Sequence, residues 1–594
     1  MAKEEFIPDW FEGALPERSF RSILKWGDPA EYKHPNKRLY REMKRVFGLD
    51  DSWFRERREM GMEKVPETLP CRLEAGHVEA LTAIVGAGNA FTDVYHRLQV
   101  AYGKTMVDLM RLRKGIIENI PDLVLHPRDR ADLRAIVEYC DANAIPVYVY
   151  GGGSSVTRGV EAMKGGVTLD MRVHLNKVIS FDEKNHTITV EAGMSGPELE
   201  RILRNAPETL KAARAYTCGH LPQSFEYSAV GGWVVTRGAG QNSTYYGKIE
   251  DMVIAQDYVC PTCDIRTGDY PAAADGPDMD QVMMGAEGTF GVLYSATLRL
   301  RHYEPRNTRR YSYIFRNWED AKEAAREIMQ GEFGFPSVFR LSDPEESDLA
   351  LKLYGVEGTV IDTLMSARGF KKGERCLMLG TADGEAGFSR HVARMIHRTC
   401  RRHGAMSTTG FVQRSWEHGR FRDPYMREDL QDYGIMIDTL ECSVNWTNLE
   451  EVHTGVRAFC HSRPGTICMT HMSHFYPQGC NLYFIFIAKM DSIEEYLAYQ
   501  SGILDAIQAS GATMSHHHGI GKMAAPWLEG DVGPEAMALF RALKRHFDPL
   551  NVMNPGGTLA LDLPDERRRF AGKDGTVSDR DPAAARASEG PERG

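Results

Sequence analysis

Tyr148-Val-Tyr-Gly151-Gly152-Gly153-Ser154-Ser155 is the stretch on which the reading of this chain turns. The run that leads into it, Ile145 to Tyr150, is short, apolar and rich in β-branched and aromatic residues, which predicts a buried strand. Three glycines then leave the loop without a single Cβ, so backbone N–H groups can approach an anion unobstructed. The stretch reads either as a cradle for a pyrophosphate or as an ordinary glycine turn. Two familiar phosphate loops are excluded. A dinucleotide fingerprint needs glycine three residues after Gly153, where Val156 stands, and a P-loop needs a Lys-Ser/Thr pair that is missing.

Outward from the loop the pattern alternates. Asp122 to His126 predicts a strand stopped by Pro127, Arg130 to Asn143 an amphipathic helix, and Ile145 to Tyr150 the next strand, a β-α-β unit ending in the glycines. Gly166 to Met171 and Thr187 to Glu191 predict further strands, and Ser195 to Arg204 a helix with Gly196-Pro197 at its start. Two more glycine-rich patches follow. Cys218 to Asp251 is dense in small and hydroxyl residues and too long for a turn, which predicts an extended backbone-donor surface rather than a plain surface loop. Gly285-Ala-Glu287-Gly288-Thr289-Phe-Gly291-Val292 precedes a strand at Tyr294 to Leu300. Three separated patches suit a large nucleotide cofactor better than one phosphate.

The whole chain of 594 residues holds roughly three to four domains' worth of core by length. Its 42% hydrophobic and 26% charged residues are those of a globular protein, and a net charge of −10 without a basic run argues against nucleic acid as a partner. No apolar run reaches the ~20 residues of a membrane span. Neither a signal core at the start nor a peroxisomal tripeptide at the end is present, so a cytoplasmic location is expected. Eleven scattered cysteines suit a reducing compartment. The one C-x-x-C, Cys260 to Cys263, falls where a hairpin turn is expected. Residues 1–115 predict a helical N-terminal region, with two packed helices over Ala75 to Ile117 and no visible catalytic role. The charged, Gly/Pro/Ala-rich segment 561–594 predicts disorder.

In order along the chain, Pro121-Asp-x-Val124, Gly151-Gly-Gly-Ser-Ser155, Val190-Glu-Ala-Gly193, Val230-Gly-Gly-Trp233, Ile249-Glu-Asp251 and Glu287-Gly-Thr-Phe-Gly291-Val292 resemble the motifs of flavoproteins of the vanillyl-alcohol-oxidase type. The resemblance covers about 115 to 560. It implies an α+β, α/β-rich architecture: a two-subdomain FAD-binding domain over 116–302, an α+β substrate cap over 303–505, and a C-terminal segment, 506–560, returning to the active site. It also implies FAD contacts at Val149, Tyr150, Gly151, Gly152, Gly153, Ser154 and Ser155, at Gln223, Ser224, Ser228, Ala229 and Gly232, at Thr236, Arg237, Gly238 and Ala239, and at Glu287, Gly288, Thr289, Gly291 and Val292. Many members hold FAD through a histidine near the loop. None lies between Val147 and Met171, so FAD is expected to be non-covalent, and the flanking His126 and His174 have no special context.

The chemistry is decided downstream. Thr470-His471-Met-Ser-His474 leads to Asn481-Leu-Tyr483-Phe, and Ser515-His516-His517-His518-Gly519-Ile-Gly521-Lys522 follows after a helix. By residue type alone, the triplet could ligate metal, handle protons or sit in a surface loop. Metal-using 2-hydroxyacid dehydrogenases of this superfamily carry His and Glu where Tyr483 and His517 stand, which removes two ligands and with them the metal reading. The frame instead resembles the alkyldihydroxyacetonephosphate synthase family, which exchanges the acyl chain of an acyl-dihydroxyacetone phosphate for a fatty alcohol without net redox change. That resemblance implies Tyr483 as catalytic base, His516, His517 and His518 as proton or charge partners, and Arg340 and Arg427 as phosphate-binding or flavin-side groups. An early Lys25-Trp26-Gly27 fits the same family. Val444-Asn445-Trp446 departs from its Ala-Pro-Trp.

A tyrosine can serve as base if cations and histidines lower its pKa from about 10, and FAD offers a ring nitrogen for the electrophile that results. The resemblance further implies a lipid phosphate and a long-chain alcohol as partners, peripheral membrane contact and a homodimer. An FAD oxidase or dehydrogenase of an alcohol or 2-hydroxy acid is the alternative. A non-catalytic amphiphile-binding scaffold is a third reading, which would not require Tyr483.

Overall fold

The computed structural model describes residues 15–27, 31–33, 35–56, 58–408, 410–490, 492–571 and 577–578. Three sheets organise them. The first holds four strands in the order Ala90–Phe91, Leu123–Leu125, Val167–Asp170, Val147–Tyr150, the last three mutually parallel. The helix Arg130–Ala142 makes the crossover: the Asp129 carboxylate caps the Asp132 N–H, and Leu133, Ile136, Val137 and Cys140 bury one face at three- and four-residue spacing.

The second sheet is antiparallel, in the order Val178–Asp182, Thr187–Glu191, Val292–Arg299, Val253–Val259, Asp264–Arg266. One continuous apolar core joins both sheets. The Cys260–Cys263 turn closes the hairpin between the last two strands, with the Cys260 N–H donating to the Cys263 carbonyl at 2.9 Å.

The third sheet has seven strands, ordered Met406–Ser407, Arg309–Phe315, Cys376–Ala382, Phe339–Ser342, Ile467–Tyr476, Gly479–Lys489, Ile435–Asn445. Helices including Trp318–Gln330 and Ala386–Arg402 cover it, each burying small or branched residues such as Ala321, Ala325, Val392 and Ile396.

Three expectations need correction. The segment Ala75 to Ile117 is not two helices but three, Ala75–Val85, Val94–Gln99 and Met106–Arg113, with Ala90–Phe91 pairing to Leu123–Leu125. Gly86, at φ 86°, stops the first helix and releases the chain into that strand. Cys218 to Asp251, expected as one extended backbone-donor surface, is interrupted by the short helices Val230–Val235, Ser243–Tyr246 and Ile249–Met252. Lastly, residues 561–571 of the segment expected to be disordered are folded. Arg569 pairs with Asp505 at 2.6 Å and Arg568 with Glu529 at 3.2 Å, which fixes a stretch whose composition is otherwise poor in core residues. Residues 572–576 and 579–594 lie outside those described.

The C-terminal segment returns to the first sheet. The Val147 N–H donates to the Val552 carbonyl and the Asn554 N–H to the Val147 carbonyl, both at 2.8 Å, so residues 552–554 complete the open edge of the glycine-loop strand. The N-terminal region docks by buried charge: Arg21 and Arg113 each reach Asp432 at 2.6 Å.

Candidate active site

A cavity of ≈ 710 Å³ runs between the two smaller sheets and the seven-stranded one. Its first part is backbone. Gly151, Gly152, Gly153, Ser154 and Ser155 face Gln223, Ser224, Ser228, Ala229 and Gly232 across it, and Thr236, Gly238, Ala239, Glu287, Gly288 and Gly291 extend the wall. The glycines are needed for close approach: a Cβ on Gly152 would sit 1.7 Å from the Tyr227 carbonyl oxygen, and one on Gly232 would project into open space. Ser155 is held by its own loop, its hydroxyl accepting the Gly159 N–H at 3.0 Å.

Glu287 ties this wall to the histidine loop by accepting the Ile520 and Gly521 N–H groups at 2.7 and 2.8 Å. Burial pushes its carboxyl up to about 7. His220 lines the same wall, fully buried, with no partner for either ring nitrogen among the described residues.

The second part of the cavity is built by strand register. Tyr483 pairs with Glu441 on one side and His471 on the other, so all three side chains project from one face of the seven-stranded sheet. The His471 ring stacks on Tyr483 at 5.0 Å and bonds the Glu346 carboxylate at 3.1 Å, and Glu346 in turn pairs with Arg340. Burial pushes Glu346 up, but Arg340 and His471 outweigh it and hold the carboxyl at about 2.

Arg427 spends its guanidinium on protein: Nη2 donates to Asp438 at 2.7 Å, Nη1 to the Lys104 carbonyl at 2.5 Å and Nε to the Ile437 carbonyl at 3.2 Å. The Tyr483 hydroxyl donates to the Thr439 hydroxyl at 3.1 Å.

The histidine triplet wraps a carboxylate. Glu441 accepts the backbone N–H groups of His516, His517 and His518 at 2.9 to 3.0 Å and the Ser515 hydroxyl at 2.8 Å. Burial works against the charge, but His517 above all, with His518 and His516, outweighs it, and Glu441 titrates well below the usual carboxylate range. Glu441, His516 and His517 present ligand atoms within 4.8 Å of one another, a spacing a metal could use. The carboxylate oxygens are already occupied by four donors, however, so the set anchors the loop. His516 turns away from the cavity to bond the Tyr476 hydroxyl at 2.7 Å, while His517 and His518 line the cavity at ring distances of 6.0 and 5.5 Å from Tyr483. His474 joins them through a strand irregularity at φ 47° that turns its ring to the Ser243 hydroxyl, 2.7 Å away.

Family-model matches divide the chain as the geometry does: an "FAD binding domain" over residues 121–268 and "FAD linked oxidases, C-terminal domain" over 304–558. An uncharacterized FAD-linked oxidoreductase, YgcU, of Escherichia coli O157:H7 is 30% identical over 503 residues, 81% of this chain and 98% of that protein. The chain belongs to the FAD-linked oxidase family. Alkyldihydroxyacetonephosphate synthase of Dictyostelium discoideum is 29% identical over 483 residues, covering 78% of this chain and 77% of that protein. A solved alkyldihydroxyacetonephosphate synthase superposes with a TM-score of 0.69 at 26% identity, covering 82% of this chain and 86% of that one.

FAD is the cofactor of this protein, and the residues present fit it. A Cβ-free loop, an open Gly232 and an orphaned His220 face one elongated cavity, which is what a pyrophosphate and a ring system with polar edges need. Most of the positions expected to touch FAD line that cavity, and four do not. Tyr150 is buried behind Gly153 under Arg172, and Arg237 points outward to Gln281. Thr289 bonds the Ala286 carbonyl, and Val292 is core. His126 and His174 face Phe91 and Asn89 on the N-terminal side.

The expectation for Tyr483 is corrected. Burial pushes its phenol up to about 12. Burial also depresses His516, and His518 to about 3, leaving both imidazoles neutral and unable to lower the tyrosine by charge.

Glu441, Thr439 and His220 were missed, His471 and His474 were noted without a role, and the share of the N-terminal region was unforeseen: Trp26, Lys33 and Leu39 line the cavity. Glu441 lay in Asp438-Thr-Leu-Glu441, and only the strand register reveals that it faces Tyr483.

Proposed function

We propose that this protein is a flavin-dependent alkyl transferase that replaces the acyl chain of an acyl-dihydroxyacetone phosphate with a fatty alcohol. One observation carries the reading. Past Tyr483 and Arg340 the cavity continues as an apolar arm walled by Leu39, Leu349, Leu353, Met469, Ile485 and Ile487, a bore suited to an alkyl chain and unsuited to a small hydroxyacid. The name of the Dictyostelium relative agrees with it.

When bound, FAD would supply beside these residues a conjugated ring system able to stabilise the reacting carbon without net redox change. The protein's own groups do the rest. Arg340, which lends only one of its nitrogens to Glu346 among the described residues, binds the phosphate by its remaining donors. The Tyr483 oxygen receives the proton from the carbon next to the ketone, and Thr439 holds that oxygen in place. Arg427, clamped by Asp438 and two carbonyls, keeps positive charge beside the tyrosine. The apolar arm excludes water, so the departing carboxylate is replaced by an alcohol rather than by hydroxide.

Holoprotein incubated anaerobically with palmitoyl-dihydroxyacetone phosphate and hexadecanol should yield the hexadecyl ether and palmitate with no flavin bleaching. Bleaching by an alcohol or hydroxy acid without ether product would overturn the assignment in favour of an oxidase.

FAD is held non-covalently, and acid precipitation should release it from the chain. A homodimer is the assembly proposed, to be read by light scattering. Contact with a bilayer is proposed through the helix Val360–Ala367. Its inner Met365 packs with Val338, Leu377, Leu379, Val412 and Trp416 over the apolar arm, whereas Val360, Ile361 and Leu364 are 76%, 62% and 56% exposed. Among the described residues no helix is long and apolar enough to cross a membrane. Asp362 and Glu357 are neutralised by Arg375 and Lys372, and Arg368 follows on the next turn, so the face suits an anionic lipid surface. Ile361→Ser with Leu364→Ser should abolish flotation with phosphatidylserine vesicles, and unchanged flotation would exclude this face.

A further inference from the structure

A second cleft, of ≈ 590 Å³, shares no lining residue with the active-site cavity. It is lined by Arg301 and His302, which pair with Tyr216–Thr217, by Arg299 at the end of Val292–Arg299, by His186 in the turn before Thr187–Glu191, and by Tyr245 and Tyr246. Asn307, Gly384 and Glu385 close it from the cap, so the cleft sits on the seam between the two large domains.

Its charge is out of keeping with an acidic protein. Arg214, Arg299 and Arg301 all line it, and among the described residues none of the three forms an ion pair. Neighbouring arginines do: Arg201 with Glu198 at 2.5 Å, Arg204 with Glu200 at 2.8 Å and Arg310 with Glu417 at 2.6 Å. Arg214 donates to the His302 imidazole at 3.0 Å, an arrangement that requires His302 to be neutral, and burial together with Arg214 depresses that histidine. Arg301 lies over the Tyr245 and Tyr246 rings at 4.5 and 5.6 Å and, among the described residues, hydrogen-bonds only the Tyr245 carbonyl.

Of the two lining carboxylates, Glu385 is committed to the Gly387 and Phe388 N–H groups at the start of Ala386–Arg402, and Glu304 is exposed at the rim. Nearby Glu183 accepts the Ala213 N–H and the Tyr216 hydroxyl, and Asp383 the Thr308 hydroxyl. Three guanidinium forks thus converge on one concavity without a counter-ion.

We propose that this cleft is a binding site for a small polyanion carrying at least two phosphate groups. Guanidinium forks match phosphate oxygens in pairs, and Arg299 and Arg301, two residues apart in extended chain, stand roughly 7 Å apart along the strand, a separation that lets each take its own phosphate. The tyrosine rings give Arg301 a fixed platform. A ligand held between Arg299 and the Asn307 and Gly384 edge would bridge the FAD domain to the cap.

The test uses FAD-loaded protein and inorganic pyrophosphate, followed by titration calorimetry at low ionic strength. Saturable 1:1 binding is expected, weakened about tenfold or more by Arg299→Gln and further by Arg214→Gln with Arg299→Gln, since each charge-assisted pair accounts for about that factor. Both side chains are exposed, so these variants should fold and keep their bound FAD. Arg340→Gln, in the active-site cavity, should leave this binding in place. No binding to the parent protein, binding unaffected by the double variant, or binding lost in Arg340→Gln instead would each overturn the proposal.

Discussion

Replacing Glu441 with glutamine tests whether a buried carboxylate holds the histidine loop. In the parent protein one carboxylate accepts four donors, the Ser515 hydroxyl and three successive backbone N–H groups. Hydrogen bonds to a charged acceptor are worth about 1 kcal/mol more than neutral ones, and an amide also turns an NH2 toward the His516 N–H, leaving a donor unmatched. Glutamine avoids the cost of burying a charge, which offsets part of the loss. The net expectation is about 2–4 kcal/mol of destabilisation, read as a lower urea midpoint by tryptophan fluorescence.

The pH dependence supplies a second reading of the same variant. The folded carboxyl titrates below its unfolded value of about 4.3, so its stabilisation is fully present above that value and is lost as pH falls through the folded pKa. The gap between parent and variant should therefore be constant from pH 6 to 9 and should shrink only under acid conditions. A gap below about 0.5 kcal/mol, or one that opens between pH 6 and 8 as histidines titrate, would refute the nest as described.

Tyr483→Phe removes the proposed base while keeping its stacking on His471, so ether formation should fall about 10²–10⁴-fold with FAD content unchanged. Because burial raises the Tyr483 phenol to about 12 and the phenolate is the active form, kcat/KM should climb about tenfold per pH unit from 7 to 9 without a plateau; a plateau below pH 8 would count against tyrosine as base. Gly152→Ala would force a Cβ to within 1.7 Å of the Tyr227 carbonyl, so the loop must move and FAD affinity should fall by about tenfold or more, measured by flavin fluorescence on dilution.

Much of this fold was legible because it is local. The β-α-β unit around Gly151 announced itself through strand-length apolar runs, a proline stop and a capped amphipathic helix, each a signal within about fifteen residues. The FAD wall was legible by resemblance, since glycine patches mark close approach wherever they fall. What escaped depends on register and on long-range return. Glu441 and His471 flank Tyr483 only because three antiparallel strands align at those residues, and a slip of one would turn every side chain to the other face. The titration of Tyr483 escaped for a related reason. A histidine triplet in sequence suggests positive charge, but burial strips the protons from His516 and His518, and nothing in the residue order reports burial. The segment 561–571 misled through composition: Leu563 reaches an apolar cluster with Leu528 and Met537, and two arginines finding Asp505 and Glu529 pin the charged remainder.

The edge strand contributed by residues 552–554 bears on how the protein is made. The strand that feeds the flavin loop finds its second neighbour only when the far end of the chain has emerged, and the Tyr148 hydroxyl meets the Pro555 carbonyl across 407 residues of sequence. At 5–20 residues per second, that interval is on the order of 20–80 s of synthesis during which the nucleotide site has one flank bare. The wall that carries the glycine loop is therefore complete only after residue 554 has been made, and a message truncated before codon 551 encodes the whole of the flavin domain but not the strand that closes its edge.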